Sequence, residues 1–361
     1  MTATATDDEV SLPRRRPISL AQCFGKLFAL IVIVPLKRLL GYKPPVLGWT
    51  IQQEIAVAFL KYSTFTDHAS ARRNERTLIY LANLQLRTPL VPMQAAGFNG
   101  VWYGRPTTDF DATVLYLHGT LSPMRHTQCG GYALCTAETY ALAVHAIQVH
   151  ASSASGKRVG VLALEYSLAP DAKFPTQLDE ALAAYSYLAQ GSNKPILLLG
   201  DSAGGHLLLQ VLLALKAREW SHLRKPVASV AVSPWCMPNL CPPPATYITN
   251  SSTDFVSLAN IQHYIDDWQP EHVDIDPSLG PLTGDFEKCG PLLVHYGGKE
   301  VFANEIDQLV GRLKRQNVDV TVIKEPLAPH ISPMLPSFFG SMATDGIRAI
   351  GTYIAMHVGR A

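Results

Sequence analysis

One segment of this 361-residue chain concentrates residue types that can do chemistry. Ile196-Leu-Leu-Leu-Gly200-Asp201-Ser202-Ala203-Gly204-Gly205-His206 sets a serine in a G-x-S-x-G frame, and LLLQVLLAL follows. The apolar run before the motif predicts a buried strand, and the run after it predicts a helix. A sharp turn between them lifts the Ser202 hydroxyl above the strand end. Gly200 and Gly204 remove side chains that would clash in that turn. The first N–H groups of the helix point at the same place, so the Ala203 N–H is a candidate donor to an oxyanion. The chemistry is that of a serine nucleophile.

A serine attacks only when a base takes its proton. After Ser202 the histidines are 206, 222, 263, 272, 295, 330 and 357. His206 and His222 lie on or just past the elbow helix and read as structural, while His295 lies inside an apolar strand. His330 follows the last predicted strand in Glu325-Pro-Leu-Ala-Pro-His330-Ile, a loop at the carboxyl end of the sheet. It is the predicted base. The acid that orients it should follow the preceding strand, in the chain order nucleophile, acid, histidine. Glu300, just past Gly297-Gly298, is best placed, and Asp307 is the second choice.

These groups need a scaffold. Apolar, β-branched runs predict strands at 113–117, 159–164, 196–199, 228–232, 292–295 and 318–323. Helical spacing predicts helices at 137–150, 177–190, 205–220, 304–316 and 344–357. Such alternation implies parallel βαβ units in a doubly wound, mostly parallel α/β sheet. Strands this apolar are expected to be covered on both faces. The alternation lapses at 46–90, which looks helical, and at 235–285, which is rich in Pro, Ser, Asn and Asp with a helical patch at 258–268. Both segments are expected to form a helical cap on one catalytic domain, 46–361.

Composition narrows the function. Charged residues are only 16% of the chain, against roughly 25% in an average soluble protein. Hydrophobic residues make up 47%, and the net charge is +1. This excludes a disordered chain and argues against a nucleic-acid partner. Six cysteines, 23, 129, 135, 236, 241 and 289, form no C-x-x-C pair. They read as buried free thiols in a reducing compartment, although Cys236 and Cys241 stand close enough in the chain to bridge.

Residues 1–45 read as a polar tail, disordered through residue 20, followed by an apolar arm. The arm carries LFALIVIVPL at 27–36, flanked by Lys26, Lys37 and Arg38. Ten residues are too few to span a bilayer as a helix. The run ends in charge rather than at a small-residue cleavage site, so a cleaved secretory leader is not expected. Three readings stay open: a helix packed on the catalytic domain, an interfacial helix with basic flanks over 24–40, and a short anchor. The expected location is cytoplasmic or peripheral to an intracellular membrane.

The chain resembles the hormone-sensitive-lipase-like branch of the α/β-hydrolase fold over residues 80–357. The resemblance rests on GDSAGGHL at the elbow, EYSLAPDAKFPTQLDEALAAY at 165–185, DPSLGPLTGDF at 276–286, and the acid and histidine loops. Fungal steryl-acetyl-hydrolase-like and biosynthetic-cluster esterases look similar. The resemblance implies an oxyanion hole of the type His-Gly-Gly-Gly after an early strand. Here His118-Gly119 is followed by Thr120, and Gly130-Gly131-Tyr132 resumes the pattern. One reading is an insertion over 120–129, with Gly130 and Gly131 as donors and His118 shaping the loop. The other is a turn at Gly119-Thr120 that uses those N–H groups.

The expected activity is hydrolysis of a hydrophobic small-molecule ester through an acyl-enzyme, with no metal or organic cofactor. Amidase, lactonase or acyltransferase chemistry on the same triad stays open, as does a non-catalytic binding role.

Overall fold

The computed structural model describes residues 18–63, 77, 83–106, 109–119, 135–217, 220, 222–237, 243–258, 261, 265, 268 and 280–360. The strands are β1 (Leu90–Ala95), β2 (Phe98–Tyr103), β3 (Ala112–Leu117), β4 (Val159–Glu165), β5 (Ile196–Asp201), β6 (Ala228–Val232), β7 (Leu292–Gly297) and β8 (Val320–Glu325). They form one sheet in the order β1-β2-β4-β3-β5-β6-β7-β8. From β4 to β8 in that order every pairing is parallel, and β1–β2 adds an antiparallel hairpin against β4. The six predicted strands appear within one or two residues of their expected bounds. Every residue of β5, β6 and β7 is buried, as strands covered on both faces must be.

The hairpin lies at and just past the end of the 46–90 segment, whose described elements at 51–63, 77 and 83 are helical as expected, and the sequence pattern does not predict it. Pro92 interrupts β1 and Asn99-Gly100 interrupts β2, which erases the alternation that marks a strand. Pro92 is tolerated because β1 is the sheet edge.

The helices are α1 (Leu20–Leu39), α2 (Ile51–Ser63), α3 (Ala141–Ser155), α4 (Thr176–Gly191), α5 (Ser202–Ala214), α6 (Thr246–Thr249), α7 (Ala303–Arg315), α8 (Pro336–Phe339) and α9 (Ser341–Val358). Helix α3 begins four residues later than the periodicity predicts, because 137–140 form turns. All 13 residues of α5 are buried, so the helix behind the elbow is the middle of the core. Residues 258, 261, 265 and 268 are helical as expected.

α1 corrects the N-terminal reading twice. Ile18 is buried and Ser19 caps the helix in a capping box with Gln22, so order begins before residue 20. The helix runs 20 residues through Pro35, twice the apolar run, and is long and apolar enough by length and composition to cross a membrane.

The two expected cap segments meet the sheet's carboxyl edge. Before α2, Trp49 Nε1 donates to Leu327 O at 2.7 Å, and from α2 Lys61 donates to Ser251 O. Thr246 Oγ1 donates to Val301 O at 2.6 Å, and Asn250 Nδ2 to Glu300 O at 2.8 Å. Both segments thus brace the loops that carry Glu300 and His330.

Candidate active site

The elbow sits where β5 meets α5. Ser202 has φ +52°, left-handed backbone that a non-glycine residue adopts only under constraint. The constraint is close packing. A Cβ on Gly204 would lie 2.0 Å from Leu117 O and 2.4 Å from His118 O, so only glycine lets β3 approach the turn. Ala203 follows at the start of α5, where an N–H has no intrahelical partner.

His330 Nε2 stands 2.9 Å from Ser202 Oγ, although 128 residues separate them in sequence. On the other side of the ring, Nδ1 is 3.4 Å from Glu300 Oε2. That separation is long for a hydrogen bond, as such contacts often are before substrate binds. All three side chains are buried. The ring lies edge-on to Phe255 and Phe302, at 5.8 and 5.0 Å between centroids. Burial pushes the His330 pKa down, but the Glu300 contact and the negative charges of Glu300, Asp254 and Asp201 outweigh it. The net result is an imidazole held above its ordinary value.

The second-choice acid is elsewhere. Asp307 accepts from Tyr296 OH at 2.5 Å and pairs with Lys324 Nζ at 2.8 Å, turned away from His330. His295 is paired with Glu325 at 2.8 Å, and His206 is buried between Trp235 and Trp268. Burial lowers the His206 pKa to about 3, consistent with a neutral packing residue.

The loop after β3 brings its first two residues to the elbow. The His118 ring stacks on Tyr166 at 4.1 Å, and Tyr166 OH donates to His118 O at 2.8 Å. One task of the 165–185 block is therefore to hold this loop. A Cβ on Gly119 would lie 2.9 Å from Ser202 Cβ and 2.3 Å from Asp201 Oδ2. The Gly119 N–H donates to Asp201 Oδ1 at 3.0 Å, and Tyr116 OH donates to the same atom at 2.6 Å. This corrects one expectation: the Gly119 N–H is spent on Asp201, so here Gly119 shapes the loop rather than donating to an oxyanion. Gly130, Gly131, the 120–129 segment, Cys129 and Cys241 lie outside the described residues. The other four cysteines, 23, 135, 236 and 289, are buried.

Two buried carboxyl groups escaped the sequence reading. Asp254 Oδ1 accepts from Phe255 N at 2.7 Å and His330 N at 3.4 Å, while Oδ2 accepts from Val301 N at 2.7 Å. One side chain thus ties the acid loop to the histidine loop. Burial raises its pKa to about 6 against the pull of His330. Glu305 accepts from Cys236 N at 2.7 Å and Tyr247 OH at 2.5 Å, and burial pushes it up to about 8. The only local signal for Asp254 is an acid followed by Phe255 and Val256. Among the described residues, no group of three or more His, Cys, Asp or Glu is arranged to hold a metal ion.

Known proteins place this geometry in context. The alpha/beta hydrolase fold family profile matches residues 114–333. An acetyl-hydrolase of Streptomyces hygroscopicus is 30% identical over 245 residues, covering 64% of this chain and 73% of that protein. The carboxylesterase/phospholipase LipF of Mycobacterium tuberculosis is 29% identical over 254 residues, covering 67% of this chain but only 61%, less than two thirds, of its own length. The crystal structure of an esterase from the bacterial hormone-sensitive lipase family superimposes with TM-score 0.73 at 25% identity, covering 87% of this chain and all of that one. A profile match over more than half the chain, on a sheet whose carboxyl edge assembles Ser202, His330 and Glu300, means that this chain belongs to the alpha/beta hydrolase fold family.

Proposed function

We propose that this protein is a serine esterase that hydrolyses carboxylic esters of a hydrophobic small molecule through an acyl-enzyme. The observation that carries the reading is Ser202 Oγ held 2.9 Å from His330 Nε2 on a left-handed turn, with Glu300 behind the ring. The esterase and acetyl-hydrolase names of the relatives support the ester bond and a small acyl group.

In this mechanism His330 Nε2 takes the Ser202 proton as Oγ bonds to the acyl carbon. Glu300 stabilises the imidazolium and keeps Nδ1 protonated. The Ala203 N–H, with those of Gly130 and Gly131, stabilises the oxyanion. His330 then protonates the leaving alcohol, and water attacks the acyl-enzyme by the same path reversed. The low charge of the chain and the apolar cap segments support a hydrophobic substrate.

The test pairs a fluorophosphonate probe with p-nitrophenyl esters of increasing acyl length. Stoichiometric labelling lost in Ser202→Ala, with turnover highest on short acyl groups, is the expected result. A native protein that neither labels nor turns over any ester overturns the reading.

A further inference from the structure

Helix α1 is apolar on two opposite sides. One stripe, Cys23, Leu30 and Val34, is buried with Ile18 and with Phe59 of α2. On the other side Phe28, Val32, Leu36 and Leu39 are 71, 52, 52 and 84% exposed. Their spacing of i, i+4, i+8 and i+11 aligns them in one row. Single exposed apolar residues are ordinary, but a continuous row marks an interaction surface. Beside it an apolar cleft of about 390 Å³ opens between α1, α2 and α8, lined by Leu27, Ile31, Ile51, Ile55 and Phe338.

Charge supplies a second, separate observation. Between Glu9 and Glu54 the sequence has no acidic residue, yet it carries Arg14, Arg15, Arg16, Lys26, Lys37, Arg38 and Lys43. In the rest of the chain acidic residues outnumber basic ones. Arg38 pairs with Glu54 at 2.8 Å and pins α1 to α2, while Lys37 and Lys43 are exposed.

We propose that α1 docks the protein flat on an anionic lipid bilayer, with the Phe28–Leu39 row in the hydrocarbon boundary and Lys37 and Lys43 among the headgroups. An apolar row flanked by cations is the pattern such helices use. At 20 residues the helix is long enough to cross. Its buried stripe and the Arg38–Glu54 pair instead hold it along the body, and its cations lie within the span. A two-fold dimer through this face would set the same cations against themselves.

Sedimentation of the full chain with vesicles tests this. Binding is expected to phosphatidylcholine vesicles that contain phosphatidylserine, and not to phosphatidylcholine alone. Lys37→Gln and Lys43→Gln should each weaken binding about fivefold. A combined Phe28→Ser, Val32→Ser and Leu36→Ser variant should abolish it, with its melting temperature and turnover of a soluble ester unchanged. No binding, or equal binding to both vesicles, overturns the proposal. So does a concentration-dependent dimer that the serine variant dissolves, or vesicle-bound protein that alkaline carbonate fails to release. The same partition is expected of Ser202→Ala, so failure of the esterase reading would not affect this result.

Discussion

Helices α5 and α1 are both apolar, and they meet opposite fates. Every residue of α5 is buried, whereas α1 buries only Cys23, Leu30 and Val34 among its 20. Composition says that a helix is driven from water, but not where it goes. α5 follows β5, a central strand between β3 and β6, so the chain must return across the sheet and the helix enters the core. α1 precedes the first strand, and the element it chiefly packs on is another helix, α2. α5 is therefore part of the core, whereas α1 keeps an apolar face toward water.

Four substitutions test that contrast. The largest effect is expected at the first residue of α5. Ser202→Ala should lower kcat by about a million-fold, as removal of a triad nucleophile does elsewhere, and leave the melting temperature in place. Steady-state ester assays with calorimetry read both. Next, Glu300→Gln should lower kcat by about 10⁴-fold by losing the orientation and charge behind the ring. It should also move the pH profile. The base works only when neutral, and His330 is held above its ordinary pKa, so activity is lost as pH falls through a value above 6.5. Without the Glu300 charge that acid limb should shift to lower pH; a limb that stays in place would remove Glu300 from the role.

Stability draws the contrast directly. Leu208→Ala, fully buried in α5, should cost roughly 2–5 kcal/mol in urea unfolding through the lost apolar contact and the cavity left behind. Smallest of all, Phe28→Ala on the outward row of α1 should change stability by no more than about 0.5 kcal/mol. Equal costs at the two positions would show that α1 is buried in solution and would erase the distinction.

Much of the fold was legible because the signals are local. Strands β3 to β8 and helices α3, α4, α5, α7 and α9 each carry their periodicity within one window. The G-x-S-x-G turn states its backbone demand in five residues. The hairpin β1–β2 was not legible, since Pro92, Asn99 and Gly100 suppress its alternation and only pairing with β4 makes it a strand.

From its residues alone the chain predicts an elbow carrying Ser202 and, through the order of its loops, His330 and Glu300 beside it. Chain order works here because each loop must leave the same carboxyl edge of a parallel sheet. The three-dimensional fold decided the rest: that Asp307 turns to Tyr296 and Lys324, that the Gly119 N–H goes to Asp201, that Asp254 joins the two loops, and which side of α1 meets water. The physical reason is common to all four. A buried polar atom takes whichever partner lies within about 3 Å, and an apolar face is hidden only if another surface arrives. Where those partners are distant in sequence, as Gly119 is from Asp201 and Asp254 from His330, no local pattern can name them.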